Sequence, residues 1–418
     1  MTFLHLGMSI LKERFSVLPQ KVRDTIWEFT EIYKKEGYEC FLVGGSCRDL
    51  LLGEMPHDFD YATNCPLSVS KKLFKKVISI GASHGTLIIS FHGFHFEITR
   101  FRKDVSTDGR KAVIAYSDSI EEDQRRRDLR LNALAYDVVE DCLVDSQNAL
   151  DDFKEKKIRF VGDAEDRIKE DHLRALRYGR LISKLLPLGF SYDPDEMKAV
   201  LQIFDGRFLS IERVYDEFGK ILAPGVRDNH FLHEYLPKLN IFKQFFSNTK
   251  TARKVMAMIV ETGSLLPLAY EYHKTHTISE TSSVLKLSRE NKRLILLLSE
   301  FSEQDLSNDT VLKNLLNKAE NIDTNALLIA INDLIGVDIT RHVLEIMKTK
   351  QPYRLKDLAV QGDELQALGI KGRDIGDTMS YLLKIVWDQP HINSKGQLLR
   401  LATDLIKEKS SSGLDSGD

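Results

Sequence analysis

The sequence has few cysteines, no long apolar run and no excess of positive charge. Four cysteines lie among 418 residues and no two have CxxC spacing, so free buried thiols in a reducing cytosol are expected rather than a disulfide framework or a zinc site. No segment approaches the roughly 18 consecutive apolar residues of a membrane helix. The first 15 residues lack the basic start and apolar core of a secretory signal. These absences predict a soluble cytoplasmic protein.

The formal net charge is −3, whereas a general nucleic-acid binder usually carries a positive excess. Positive charge is nevertheless concentrated in parts of the first half, at residues 125–127, 154–157 and 174–180. A modest local field is compatible with an RNA substrate that has to be released after reaction.

The hydrophobic pattern changes along the chain. Before residue 155, short apolar segments predict strands at residues 38–43, 59–61, 87–91 and 94–101, with helices between some of them. From about residue 158, helical periodicity dominates to the end. The sequence therefore predicts an α+β fold, with a small mixed-sheet head followed by an all-helical remainder.

The expected division is a head at 1–155, a neck at 156–225, a body at 226–335 and a tail at 336–409. Residues 410–418 consist almost entirely of Ser, Gly and Asp and are predicted to be disordered. The polar segment 103–111 contains a DG pair and is predicted to be a mobile loop.

Two aspartates mark the strongest candidate site. Asp58 and Asp60 alternate on a predicted strand, so both point to one face while Phe59 enters the core. Adjacent carboxylates repel each other unless a divalent cation neutralises them, and Mg²⁺ prefers hard oxygen ligands. Two such ions, roughly 4 Å apart, can activate an attacking hydroxyl and stabilise a leaving pyrophosphate. We therefore expect Asp58 and Asp60 to be catalytic and to hold two Mg²⁺ ions.

A Gly-Gly turn precedes this pair. Gly44 and Gly45 lie between a predicted strand and a predicted helix, where backbone N–H groups and the positive helix end suit a triphosphate. Arg48 lies one turn into that helix and supplies a further cation. A lone Gly-Gly or DxD is usually only a turn, but their ordered combination favours a phosphate site.

The segment GGSCRDLLLG at 44–53, followed by DFDYAT at 58–63, resembles the signature of nucleotidyltransferases related to DNA polymerase β. It is similar, more narrowly, to class II tRNA nucleotidyltransferases and bacterial poly(A) polymerases. Four further segments match in order, at residues 84–87 with 97–102, 126–128 with 132–134, 170–180, and 210–217. Together they span residues 38–222, just under half of the chain.

This resemblance implies a template-independent enzyme that adds CCA to the 3′ end of tRNA, with ATP and CTP as substrates. It also implies that Arg127, Asp171 and Arg174 bind the incoming nucleotide, with support from Arg177 and weaker involvement of Arg180. In addition, Asp128 is expected to orient an arginine. The helical part is expected to hold the tRNA through phosphates and shape, since every tRNA must be accepted.

Asp171 and Arg174 also have a physical reason to select the base. On a predicted helix, residues three apart lie side by side, which places an acceptor beside a fork of donors. Cytosine and adenine offer an amino donor next to a ring-nitrogen acceptor, whereas uracil and guanine offer a carbonyl oxygen instead of the donor. The pair should therefore accept C and A and reject U and G.

Several alternatives stay open at this point. A poly(A) polymerase, a specialist that adds only A, and a non-catalytic RNA-binding protein could share the same head. Glu97 is either a third metal carboxylate or an outward-facing strand residue, and His84 is more readily explained as structural. The family often has DxFGG where this chain has DSQNA at 145–149, so a hinge at that position is in doubt.

Overall fold

The computed structural model describes residues 11–56, 58–78, 86–107, 112–222, 234–239, 241–246 and 248–412. The chain divides into two compact units, Met1–Val260 and Glu261–Asp418. Within the described residues, no helix has the length and apolar character needed to cross a membrane.

The strands lie in the first unit. They are β1 Cys40–Val43, β2 Phe59–Thr63, β3 Val77–Ile78, β4 Thr86–Phe91, β5 Phe94–Arg100, β6 Arg102–Thr107, β7 Ala112–Tyr116, β8 Ala135–Asp137, β9 Cys142–Val144, β10 Lys157–Ile158 and β11 Ser191–Tyr192.

Seven of these strands form one mixed sheet, in the order β3-β4-β5-β2-β1-β8-β9. Only β2 and β5 run parallel within it, while the other neighbours are antiparallel. Strands β6 and β7 form a separate hairpin, and β10 pairs with β11.

Besides residues 11–16, which are also helical, the described part of the first unit contains nine α-helices. They are α1 Gln20–Lys35, α2 Gly45–Leu52, α3 Leu67–Leu73, α4 Ile120–Arg125, α5 Ala149–Glu155, α6 Ala164–Glu170, α7 Leu173–Leu185, α8 Pro194–Ile203 and α9 Ile211–Ile221. The helix α10 Thr249–Thr262 runs across the boundary between the units.

The two faces of the large sheet are covered by apolar clusters of different size. On one face, α1 places Phe29 against Phe96 and Tyr61, with ring centroids 4.3 and 5.0 Å away, and most of the head core lies here. On the other face, a small apolar cluster contains Phe41, Ala62 and other buried residues. Because side chains alternate along a strand, Asp60 lies on this second, less covered face.

The described part of the second unit is helical and has its own core. Its helices are α11 Leu266–His273, α12 Ile278–Val284, α13 Arg289–Phe301, α14 Asp309–Lys318, α15 Thr324–Ile335, α16 Thr340–Lys348, α17 Gly362–Ala367, α18 Arg373–Asp388 and α19 Lys395–Ser412. Near the C-terminus, Leu365, Leu382, Val386 and Leu398 pack together in a buried cluster.

The predicted loop at 103–111 is wrong for its first residues. Residues 103–107 belong to β6, which pairs with β7 through a register shift between Asp104 and Ser106. Polar residues can form such a hairpin because its stability comes from backbone pairing. The N–H of its first residue, Arg102, donates a 3.2 Å hydrogen bond to the Asp123 carboxylate. Residues 108–111 lie outside the described part, as do 413–418 of the segment predicted to be disordered, while α19 reaches Ser412.

Candidate active site

The turn between β1 and α2 requires glycine at its centre. Gly44 has φ 66° and ψ −131°, and no side chain caps α2, so the first N–H groups of this helix have no side-chain acceptor at the cap. A Cβ at Gly44 would lie 3.3 Å from Arg127 Nη1 and 3.6 Å from Asp60 Oδ2. The missing side chain therefore lets a carboxylate and a guanidinium approach the open end of the helix.

The two aspartates have the placement that strand alternation predicts. Phe59 is 5% exposed in the core, whereas Asp60 is half-buried and Asp58 is exposed just before the strand. Ser46 joins both to α2, since its hydroxyl donates to the Asp58 carbonyl at 2.9 Å and accepts from the Asp60 N–H at 3.1 Å. The carboxylates are thus held next to the helix N-terminus.

Glu97 lies on the same face as Asp60. The two residues are opposite each other on the parallel strands β5 and β2, and Glu97 is exposed. Burial first, and then the charge of Glu97, raise the pKa of Asp60 to about 6, although Arg127 and Arg48 oppose the shift. The site therefore concentrates negative charge that a cation would neutralise.

This carboxylate pair fits Mg²⁺ shared with a nucleotide. Among the described residues, no group of three His, Cys, Asp or Glu side chains forms a ready set of metal ligands. Mg²⁺ usually keeps waters and is bound by one or two carboxylates plus substrate phosphates. Two aspartates beside an open helix N-terminus match that requirement, and Glu97 is a further oxygen donor on the same face.

Arg127 is fixed beside these carboxylates by Asp123. Its Nη2 donates to Asp123 Oδ2 at 3.0 Å and its Nη1 to the Asn132 carbonyl at 3.2 Å. Asp123 is 1% exposed and also accepts from Arg126. Burial opposes its ionisation, but the charges of Arg127 and Arg126 outweigh burial and lower the pKa of Asp123. Arg127 Nε is buried with no hydrogen-bond partner among the described residues.

Arg48 bonds to other residues of the protein. Its Nε and Nη2 donate to Asp49 Oδ1 at 2.9 and 2.7 Å, and its Nη1 donates to Asn132 Oδ1 at 2.6 Å. Lys184 of α7 also contacts Asp49 Oδ1, at 2.8 Å. Arg48 is therefore buried in a network that joins α2 to the neck, although its Nη2 still lies 3.3 Å from the position of a Cβ on Gly45.

The prediction that Asp171 and Arg174 share one continuous helix is wrong. Helix α6 ends at Glu170, Asp171 is extended with φ −155° and ψ 107°, and α7 begins at Leu173. The Asp171 carboxylate accepts from the Leu173 N–H at 3.0 Å, so it satisfies one free N–H at the start of the second helix, whose N-cap is His172. A side chain that can satisfy free helix N–H groups favours such a break.

Two of the predicted nucleotide-binding residues are bonded to side chains of helix α9. Arg213 Nη2 lies 2.7 Å from Asp171 Oδ2, and Glu217 accepts from Arg180 Nε. Asp171 and Arg180 are therefore both held by the same helix, although Asp171 lies outside α7.

The other two arginines contact the head. Arg174 is 8% exposed, pairs with Glu170 and donates to the Arg126 carbonyl at 3.2 Å. Arg177 Nη1 lies 3.3 Å from Asp128 Oδ2, so Asp128 does contact an arginine, as predicted. Burial opposes the ionisation of Asp128, but Arg177 and Arg174 lower its pKa. The structure thus brings Asp171 and all three arginines into one charged network between α6, α9 and the head.

Comparisons with known proteins identify the family. The model described as the poly A polymerase head domain matches residues 40–159. The mitochondrial CCA tRNA nucleotidyltransferase 1 of Homo sapiens is 30% identical over 381 residues, which are 84% of either chain. This chain belongs to the CCA tRNA nucleotidyltransferase family.

Other relatives and solved structures agree. The CCA-adding enzyme of Leuconostoc citreum is 29% identical over 94% of this chain and 98% of its own. The Bacillus stearothermophilus CCA-adding enzyme in complex with CTP has a TM-score of 0.63 at 22% identity, covering 94% of this chain and 100% of that one. The predicted family, the nucleotidyltransferase class and the α+β fold are confirmed.

The DSQNA segment at 145–149, where the family often has paired glycines, has one residue in the left-handed conformation that glycine favours. In the DSQNA segment, Asn148 has φ 59°, in the left-handed region where Asn is tolerated. Asp145 accepts from the N–H groups of Ala149 and Leu150 at 2.8 and 2.9 Å. The turn into α5 is therefore formed in this nucleotidyltransferase without the paired glycines.

Three supporting residues of this transferase were not predicted from the sequence, namely Ser46, Asp123 and Lys184. Ser46 lies inside the GGSCRD motif, so its position was a usable signal. Asp123 and Lys184 lie outside the matched motifs, and their partners become visible only in three dimensions. His84 lies outside the described residues.

Proposed function

We propose that this nucleotidyltransferase adds CMP, CMP and AMP to the 3′ end of tRNA from CTP and ATP. The observation that carries the proposal is the aspartate pair, Asp58 and Asp60, held at the Gly44 turn beside Arg127. The Leuconostoc citreum relative, which is named a CCA-adding enzyme, matches 94% of the chain. A Thermotoga maritima CCA-adding enzyme with the same fold is described in complex with tRNA, at a TM-score of 0.60.

Asp58 and Asp60 would hold two Mg²⁺ ions, and Glu97 lies where it could join them. When bound, these ions supply Lewis-acid stabilisation of the attacking 3′-oxygen and the leaving pyrophosphate. The protein's own contribution is to position the triphosphate. The N–H groups from Gly45 onward would bind a triphosphate at the helix N-terminus, and Arg127 Nη1 would lie beside it, since it is 3.3 Å from the position of a Cβ on Gly44.

Selection of the base is assigned to Asp171 and Arg174. The carboxylate accepts from the amino group of cytosine or adenine, and the guanidinium donates to the ring nitrogen. A wrong base would leave these polar groups unpaired, which makes rejection strong. Arg177 and Arg180 support the pair through Asp128 and Glu217.

We further propose that the neck, at about 156–225, carries base recognition, while the helical body and tail contact the tRNA.

The four cysteines are free thiols, which suits a reducing compartment such as the cytoplasm.

An extension assay tests this function directly. Purified protein with Mg²⁺ is given tRNAs that end at the discriminator base, at C or at CC, with CTP and ATP supplied separately and together. A CCA enzyme completes all three substrates and stops after one A. Growth of a long A tail would instead identify a poly(A) polymerase, and extension of the CC-ending tRNA alone would identify an A-adding specialist.

Aspartate variants test the metal assignment in the same assay. Asp58→Ala and Asp60→Ala should abolish incorporation while tRNA binding, measured by gel shift, stays largely intact. Asp151→Ala removes an exposed aspartate of α5 and serves as the control. Near wild-type turnover by either site variant would refute the assignment.

A further inference from the structure

His172 lies between the two residues proposed to read the base, yet its side chain points to a different segment. It is 5% exposed, and its Nδ1 accepts from the Asp205 N–H at 3.0 Å. Its ring stacks on Phe208, with centroids 4.6 Å apart and planes 9° from parallel. Phe204 contacts it edge-on at 6.2 Å. The imidazole is therefore fixed by the 204–208 segment on two sides.

The protonation state of His172 suits this contact. Burial lowers its pKa, and the nearby charges of Asp205 and Asp171 oppose the shift without reversing it. A neutral ring has a free electron pair on Nδ1 when the proton is on Nε2. The hydrogen bond from Asp205 requires this form.

The neighbouring backbone explains why the anchor matters. Asp171 is extended and α7 begins at Leu173, so His172 lies at the break between two helices. Asp171 is held by Arg213 of α9, whereas His172 is held by Asp205 and Phe208. Two successive residues are thus tied to different segments, and these two ties together set the direction of the Asp171 carboxylate.

We propose that His172 is a positioning residue for base selection, acting mainly through its hydrogen bond to Asp205, while its stack on Phe208 holds the ring in place. This inference rests on the proposed function, because it concerns the same recognition of C and A. It predicts that loosening His172 weakens binding of the correct nucleotides, and with it the choice of base, before it lowers kcat.

Two substitutions separate the hydrogen bond from the stack. In His172→Phe the aromatic ring remains but no acceptor faces the Asp205 N–H. In His172→Asn the amide oxygen occupies nearly the place of Nδ1, so the acceptor remains and the stack is lost. The matched control is His92→Asn in the head, where His92 is exposed in the turn between β4 and β5 and its Nε2 lies 3.1 Å from Glu28 Oε2.

The measurement is single-nucleotide extension of tRNA with each of CTP, ATP, UTP and GTP, with kcat and KM determined separately. We expect His172→Phe to lower the ratio of correct to incorrect incorporation about tenfold, the equivalent of one hydrogen bond, mainly through a higher KM for CTP and ATP. His172→Asn should recover most of that ratio, and His92→Asn should match the wild type.

Wild-type selectivity and KM in His172→Phe would overturn the inference, as would equal losses in the Phe and Asn variants. If His172→Phe does not fold, recovery by His172→Asn relative to His172→Ala decides the matter. A wild-type enzyme that does not discriminate among the four nucleotides would instead refute the proposed function.

Discussion

A methyl group on Gly44 would enter the space between Arg127 and Asp60. Its Cβ would lie 3.3 Å from the guanidinium, and the backbone has a positive φ that side chains rarely adopt. We expect Gly44→Ala to destabilise the protein by about 1–3 kcal/mol and to raise the KM for CTP and ATP. Urea unfolding and nucleotide titration in the extension assay measure the two effects.

Gly372 offers a control with the same backbone. It has φ 59° and ψ −128°, close to the values at Gly44, and a Cβ there would meet nothing within 4 Å. Gly372→Ala should have a similar stability loss with an unchanged KM for nucleotides. An equal rise in KM would show that strain alone, rather than contact with Arg127 and Asp60, explains the effect.

Ser46 joins the strand of the two aspartates to α2 through one hydroxyl. Removing it in Ser46→Ala leaves the Asp60 N–H without this acceptor, which should cost about 1–3 kcal/mol. Because the carboxylates would shift relative to the helix, kcat should fall tenfold to about a hundredfold. Ser70→Ala is the control, since Ser70 is equally buried in the head but bonds Cys65 and Pro66. Unchanged kcat in Ser46→Ala would contradict the positioning role.

Among the helices, α9 bonds to two of the residues proposed to recognise the nucleotide. Arg213 and Glu217 are four residues apart, on one face of the helix, and reach Asp171 and Arg180. A double-mutant cycle of Asp171→Ala and Arg213→Ala should give a coupling of about 0.5–3 kcal/mol in unfolding free energy. The single variant Arg213→Ala should also reduce C and A selectivity. Strict additivity of the two unfolding effects would show that the ion pair does not stabilise the fold. Wild-type selectivity in Arg213→Ala would show that the pair does not support the choice of base.

Local pattern predicted some elements well and failed at others for identifiable reasons. The alternation around Phe59 correctly placed one apolar side chain inward and two carboxylates outward, because a strand has a fixed period. The helix predicted through residues 170–174 was wrong because Asp171 satisfies the next helix N-terminus with its own side chain. Helical propensity cannot show that competition, which depends on Arg213 and Asp205 far along the chain.

For the molecule as a whole, the order of the strands in the sheet could not be predicted from the sequence. Strand β1 lies between β2 and β8, and β8 follows it by about 90 residues. Such pairings depend on three-dimensional packing rather than on local pattern. The motifs predicted a set of site residues, but the contacts of Asp123 and Lys184 with two of them or their neighbours required the assembled fold.

Glu196 should make the stability of the first unit depend on pH. Burial raises its pKa to about 7 from an ordinary 4.5, and Tyr178 contacts it at 3.4 Å. Between these values the folded state binds more protons than the unfolded state, so stability falls as pH rises from about 5 to 7. Glu196→Gln cannot lose a proton and should flatten this fall, with a higher urea midpoint than the wild type at pH 8. A parallel pH profile in the variant would contradict this assignment.

The two tryptophans allow that effect to be located. The sequence contains two, and Trp27 lies in the first unit and Trp387 in the second. Trp387 is 5% exposed, and its Nε1 has no hydrogen-bond partner among the described residues, so Trp387→Phe removes packing but no polar contact. Each unit has its own buried cluster. In the Trp387→Phe background, Trp27 alone reports unfolding. There we expect Glu196→Gln at pH 8 to shift the urea midpoint. The midpoint reported by Trp387 in the Trp27→Phe background should stay unchanged. Equal shifts from both reporters would show instead that the chain unfolds as one cooperative body.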